Sequence, residues 1–137
     1  MDCQRENLLS YSESHAHAGI YIHIPFCVKK CPYCDFYSIS DLSLRKSFVT
    51  ALLKELQLRS QPELKVDTIY FGGGTPSLLS IEDASKIVES VAHNFRLMDN
   101  AQITMEVNPG TIKDINTINE NNTKRVGQKT ISCLTLT

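Results

Sequence analysis

Three short runs rich in β-branched and aromatic residues, Tyr21 to Ile24, Val66 to Phe71 and Gln102 to Val107, alternate along the chain with two stretches of helical period. In the first helical stretch Asp41 or Ser43 supplies an N-cap, Leu44, Phe48, Ala51, Leu52 and Leu56 share one face, and Gln61-Pro62 marks the end. In the second, Ser80 caps, Asp83 stands at the capping-box position, and Ile81, Ala84, Ile87, Val88, Val91 and Phe95 form the apolar face. The order strand, helix, strand, helix, strand predicts an α/β fold with a parallel sheet. A third helix is expected from Thr111, sustained briefly by Ile112, Ile115 and Ile118.

The pattern fades at both ends. Residues 1–19 are polar and aperiodic and read as a flexible leader, in which His15 and His17 form an incidental pair. Residues 119–137 are mostly Asn, Thr, Ser and Lys and read as an irregular tail, so Cys133 within it is not counted as a ligand. With 137 residues, 42% hydrophobic content and a net charge of −1, the chain has enough apolar material for one small core, and its charge balance does not favour nucleic acid or an acidic membrane surface. No run approaches the length of a membrane span, and a cytoplasmic location is expected.

The candidate chemistry begins where the first strand stops at Pro25. Cys27, Cys31 and Cys34 fall within eight residues as Cys-x3-Cys-x2-Cys, in a loop where three thiols can converge on one centre. Thiolates are soft ligands that suit zinc, copper(I) or iron–sulfur clusters. Structural zinc takes four protein ligands, for which only His23 or Asp35 is locally available. A four-iron cluster held by three cysteines instead keeps one iron open for chemistry, and the spacing favours it over zinc. Disulfide pairing is the weakest alternative in a chain that shows no secretory signal. For His23 itself, local satisfaction is the favoured reading.

Two further stretches end strands. Val66 to Phe71 runs into Gly72-Gly73-Gly74-Thr75-Pro76, where glycines allow close backbone approach and Thr75 adds a hydroxyl. Taken alone, a structural tight turn is the better reading of it, and it is neither a phosphate loop nor a dinucleotide fingerprint. The third strand ends at Glu106, a carboxylate able to accept two ribose hydroxyls. Ligands of parallel sheets bind at the strands' C-terminal ends, so the three stretches are expected on one rim.

The cysteine triplet with Tyr33 before its last thiol, the context Tyr-Ile-His-Ile-Pro-Phe-Cys, the Gly-Gly-Gly-Thr-Pro turn and the Thr104, Glu106, Asn108, Pro109 pattern together resemble the radical S-adenosylmethionine enzymes. Within them the chain looks like the branch of oxygen-independent coproporphyrinogen III oxidases and haem chaperones. The resemblance implies an incomplete parallel (β/α) barrel of about three βα units, with residues 20–118 as a truncated core. It implies a [4Fe-4S] cluster on Cys27, Cys31 and Cys34, and S-adenosylmethionine lined by Tyr21, Tyr33, Gly73, Gly74, Thr75 and Glu106. In such enzymes an electron from the reduced cluster cleaves the cofactor and releases a 5′-deoxyadenosyl radical. Tyr33 would meet the adenine, the glycine turn the amino-acid end and Glu106 the ribose.

The oxidases resemble Cys-x3-Cys-x2-Cys-x-Cys, whereas Phe36 stands at the fourth position here, which points to the chaperone branch. Haem or porphyrinogen, a haem-acceptor protein and an electron donor are the partners so implied, with no haem ligand assignable in this chain. The match runs from Ile20 to Arg125, and the rest of the family's barrel and its C-terminal domain do not follow. A chain of this length is expected to be marginal in stability and short of full activity. Porphyrinogen oxidation and a non-catalytic zinc-binding or degenerate fragment stand as alternatives.

Overall fold

The computed structural model describes residues 17–29, 32–35, 37–108, 111 and 133–136. Strand β1 (Ala18–Ile24) leads through the cysteine loop to a 3-10 turn (Leu42–Leu44) and helix α1 (Arg45–Leu58). Strand β2 (Gln61–Gly73), a second 3-10 turn (Pro76–Leu78), helix α2 (Ile81–Asn94) and strand β3 (Phe95–Val107) follow. Strand β4 (Cys133–Leu136) completes a sheet of order β1-β2-β3-β4, in which every pairing is parallel.

The alternating pattern of each strand divides the sheet into two faces. On one face Ile22, Ile24, Ile69, Phe71 and Ile103 join Leu56 of α1 and Ile87, Val88 and Val91 of α2 in a single buried cluster. Fully burying a side chain of this size contributes roughly 1.5–3 kcal/mol, so this cluster is what fixes the register of the strands. The opposite face carries Tyr21 and His23 from β1, Tyr70 and Gly72 from β2, and Thr104 and Glu106 from β3. Tyr21 pairs with Tyr70 and Tyr70 with Thr104 in the ladder, which places the polar and aromatic groups in one row.

Both helix starts follow the expected chemistry. The Asp41 carboxylate accepts the Ser43 N–H at 3.0 Å to open the 3-10 turn that runs into α1, and Ser80 Oγ accepts the Asp83 N–H at 3.1 Å. The ends differ from expectation. Helix α1 stops at Leu58, and Pro62 is the second residue of β2 rather than the helix terminator, because β2 and β3 pair as far back as Gln61 and Phe95. Phe95, expected on the second helix, is in extended conformation and opens β3, buried against the same cluster. Ala51, expected on the apolar face, is exposed, while Val49 beside it is buried. The third helix lies outside the described residues, apart from Thr111.

Candidate cofactor site at the rim of the sheet

The cysteine loop is held to the end of β1 from two sides. Phe26 is fully buried and packs edge-on against Phe48 of α1, with ring centroids 5.3 Å apart. Cys27 N–H donates to the Ile39 carbonyl at 3.0 Å, and Ile39 N–H donates to the Pro25 carbonyl at 2.6 Å, closing the loop at its base. Cys27 and Cys34 are both free thiols and both partly exposed. Cys31 and Phe36 lie outside the described residues.

The glycine turn sits directly against this loop. Gly74 N–H donates to the Ile24 carbonyl at 2.8 Å and Thr75 N–H to the Phe26 carbonyl at 2.7 Å, so the turn extends the β1–β2 pairing beyond the strands. A Cβ on Gly74 would lie 2.7 Å from the Phe26 oxygen and 3.0 Å from Cys27 Sγ. The buried Thr75 donates its hydroxyl to Cys27 Sγ at 3.7 Å. Gly73 adopts φ +115°, in the left-handed region, and a Cβ there would strike the His23 ring at 2.7 Å.

Next to the turn lies the row of polar groups. Tyr21 stacks on Tyr70 with centroids 6.0 Å apart and an interplanar angle of 25°, and Tyr70 Oη donates to Glu106 Oε1 at 2.7 Å. That bond raises the Tyr70 phenol pKa above its ordinary value, with burial and the Glu106 charge adding to it. Burial first, then the same carboxylate, raises Tyr21. Both phenols therefore stay protonated. His23 Nδ1 lies 2.9 Å from Tyr21 Oη, and its Nε2 lies 3.3 Å from the Tyr37 carbonyl.

Of the residues expected at the site, Tyr21, Gly73, Gly74, Thr75, Cys27 and Glu106 thus share one rim, the last linked to the others through Tyr70. Tyr33 is 88% exposed on the cysteine loop. Among the described residues no three His, Cys, Asp or Glu side chains gather as a metal site; the middle thiol of the triplet is not among those residues. Spacing does not single out Tyr70, and it marks Gly72 only as the first glycine of the turn. Their signal is the period of two in β2, which sets Tyr70 on the same face as Gly72, where a Cβ would meet the Tyr70 and Tyr21 rings at 2.8 and 2.9 Å.

A parallel α/β sheet with a thiol loop held against a glycine turn at its rim has the layout in which sheets of this class present ligand sites, at the strands' C-terminal ends. The Radical SAM superfamily model matches residues 21–128, and the chain belongs to that superfamily. It is 41% identical over 99 residues to Heme chaperone HemW of Buchnera aphidicola subsp. Schizaphis graminum, covering 69% of this chain and 26% of that protein. Heme chaperone HemW of Escherichia coli K12 is 42% identical over 99 residues, with the same coverage. The mitochondrial Radical S-adenosyl methionine domain-containing protein 1 of Danio rerio is 37% identical over 100 residues, covering 70% of this chain and 22% of that protein. The structure of coproporphyrinogen III oxidase (HemN) from Escherichia coli superposes with a TM-score of 0.65 at 30% identity, covering 69% of this chain and 23% of that one. The chain spans about a quarter of the length of the curated relatives it matches.

Proposed function

We propose that this chain is a haem-chaperone-type radical S-adenosylmethionine protein that binds a [4Fe-4S] cluster through Cys27, Cys31 and Cys34 and S-adenosylmethionine along the adjoining rim. The observation that carries the reading is the contact of the glycine turn with the cysteine loop: a Cβ on Gly74 would lie 2.7 Å from the Phe26 oxygen and 3.0 Å from Cys27 Sγ, and Thr75 donates its hydroxyl to that sulfur. The free, partly exposed thiols are the right donor chemistry for the cluster, which when bound supplies the electron for reductive cleavage of the cofactor.

The chain's own residues do the positioning. Thr75 hydrogen-bonds one cluster ligand, Gly73 and Gly74 let the cofactor's amino-acid end approach the backbone, and Tyr21 and Tyr33 supply ring surface. Tyr70 holds one oxygen of Glu106, leaving the other for a ribose hydroxyl. The chaperone reading is favoured over porphyrinogen oxidation by Phe36 in place of a fourth cysteine and by the higher identity to the chaperones. Haem, a haem-acceptor protein and an electron donor are the partners this reading takes, and the reducing cytoplasm is the compartment that keeps such thiols free. Among the described residues no helix is long and apolar enough to cross a membrane.

Electron paramagnetic resonance of the anaerobically reconstituted, reduced chain tests the proposal. A four-iron signal that shifts on addition of S-adenosylmethionine is the expected result. A cluster without the shift defeats the cofactor site. Zinc at one per chain without sulfide defeats both and favours the non-catalytic alternative, for which His23 is a poor fourth ligand because both its ring nitrogens are engaged.

A further inference from the structure

His23 stands on the cofactor face between Tyr21 and the cysteine loop, and the proposed site gives it no task. Its ring lies over Gly73, which has no Cβ to displace it. Its two nitrogens meet partners of different kinds. The Tyr37 carbonyl, 3.3 Å from Nε2, can only accept, so Nε2 must carry the proton. A neutral imidazole has one N–H, so Nδ1 presents a lone pair to its neighbour, Tyr21 Oη at 2.9 Å. The Tyr21 hydroxyl therefore donates to His23, and its single proton is spent. The opposite tautomer would set two lone pairs against each other at Tyr37.

We propose that His23 is a positioning residue: as the Nε2–H tautomer it turns the Tyr21 hydroxyl proton away from the ligand and ties the end of the cysteine loop back to β1. Tyr21 then faces the site as a hydrogen-bond acceptor only. The oxygen suits an ammonium or hydroxyl donor and repels a carboxylate, which gives the rim a sense of direction for an amino-acid-bearing ligand. This role rests on the S-adenosylmethionine reading of the site.

Nitrogen-15 NMR of the imidazole in the full chain without cluster reads the tautomer directly. The expected spectrum shows a protonated Nε2 and an unprotonated Nδ1 at neutral pH, unchanged in Tyr21→Phe, since Tyr37 sets it. A protonated Nδ1 overturns the proposal. Two variants then separate the two contacts in the reconstituted chain. His23→Asn retains an acceptor at the Nδ1 position, and His23→Gln retains only a donor toward Tyr37. With a lost hydrogen bond worth about fivefold in affinity, binding of S-adenosylmethionine should stay within about twofold in His23→Asn and weaken about fivefold in His23→Gln. The reverse order, or equal loss in both, overturns the role, with folding checked by circular dichroism. A wild-type chain that takes up a cluster but no S-adenosylmethionine sinks the site reading; a wild-type chain that binds it while showing the Nδ1–H tautomer sinks the His23 assignment alone.

Discussion

Tyr70 carries more of the site's geometry than its place in the sequence suggests. It joins Tyr21 through ring stacking and Glu106 through its hydroxyl, so it spans from β1 to β3. Tyr70→Phe keeps the ring and removes only the oxygen, leaving the Glu106 carboxylate without its fixed donor. The expected outcome is a fold unchanged by circular dichroism and S-adenosylmethionine affinity lowered by about fivefold in a calorimetric titration of the reconstituted chain. Unaltered affinity would remove Tyr70 from the site. The same bond makes a pH prediction. Both Tyr21 and Tyr70 have pKa values raised from 10.0 in the fold, so the stability they contribute is fully present below pH 10.0 and is lost as pH rises through the higher folded values. Glu106 is a cause of both shifts, the leading one at Tyr70. Glu106→Gln should therefore move tyrosinate absorbance back toward the ordinary titration, and an unshifted curve would contradict the assigned hydrogen bond.

At the scale of elements, what was legible is what depends on local chemistry. Ser80 and Asp83 announced the start of α2, and the acceptor bond between them is there at 3.1 Å. Ser80→Ala removes that acceptor from the first turn, with an expected cost of about 1 kcal/mol, read as a lower denaturant midpoint with an unchanged slope. The strand cores were equally plain, because Ile22, Ile69, Phe71 and Ile103 belong to runs of β-formers that all bury toward the helices. The extensions were not. Residues 61–65 and 95–101 contain Pro62, Glu63, Asp99 and Asn100, which are poor β-formers; only Gln61 with Phe95 and Lys65 with Arg96 pair with each other across the sheet there, and the register shifts between the paired positions. Phe95 fits a helical period and a strand start equally well, and its burial is satisfied either way. β4 is beyond local reading for the same reason: Cys133–Leu136 pairs with Thr104–Val107, and nothing near it in sequence signals that partner. The cysteine and glycine motifs were visible as spacings, whereas the Tyr70–Glu106 contact arises only when neighbouring strands bring side chains together, and the bond of His23 to the Tyr37 carbonyl only when the cysteine loop folds back on β1.

The whole molecule has an asymmetry that bears on its behaviour in solution. Among the described residues β1 pairs on one side only, with β2, although its inward side chains belong to the main core. Alongside that edge runs a groove of about 630 Å³ between β1 residues 20–23 and the α1 side chains Phe48, Ala51 and Leu52, with Glu55 and Arg59 also on its wall. An unpaired backbone edge beside apolar side chains is a template for pairing with another strand. The chain alone is thus expected to self-associate, its sedimentation coefficient rising with protein concentration. Ala51 offers a way to test the groove without disturbing the core, since it is exposed on α1 and yet lines the groove. Ala51→Glu puts a charge where an apolar neighbour would dock, next to the existing Glu55, and a surface helix position of this kind changes stability by only about 0.5 kcal/mol. The variant should sediment as a monomer at concentrations where the wild type does not, while taking up iron and sulfide to the same extent, because Ala51 stands on α1 and supplies no thiol. A wild-type chain that sediments as a monomer at every concentration would mean that the edge is not a docking surface. Equal association of wild type and variant would move the contact off this groove and onto another part of the molecule.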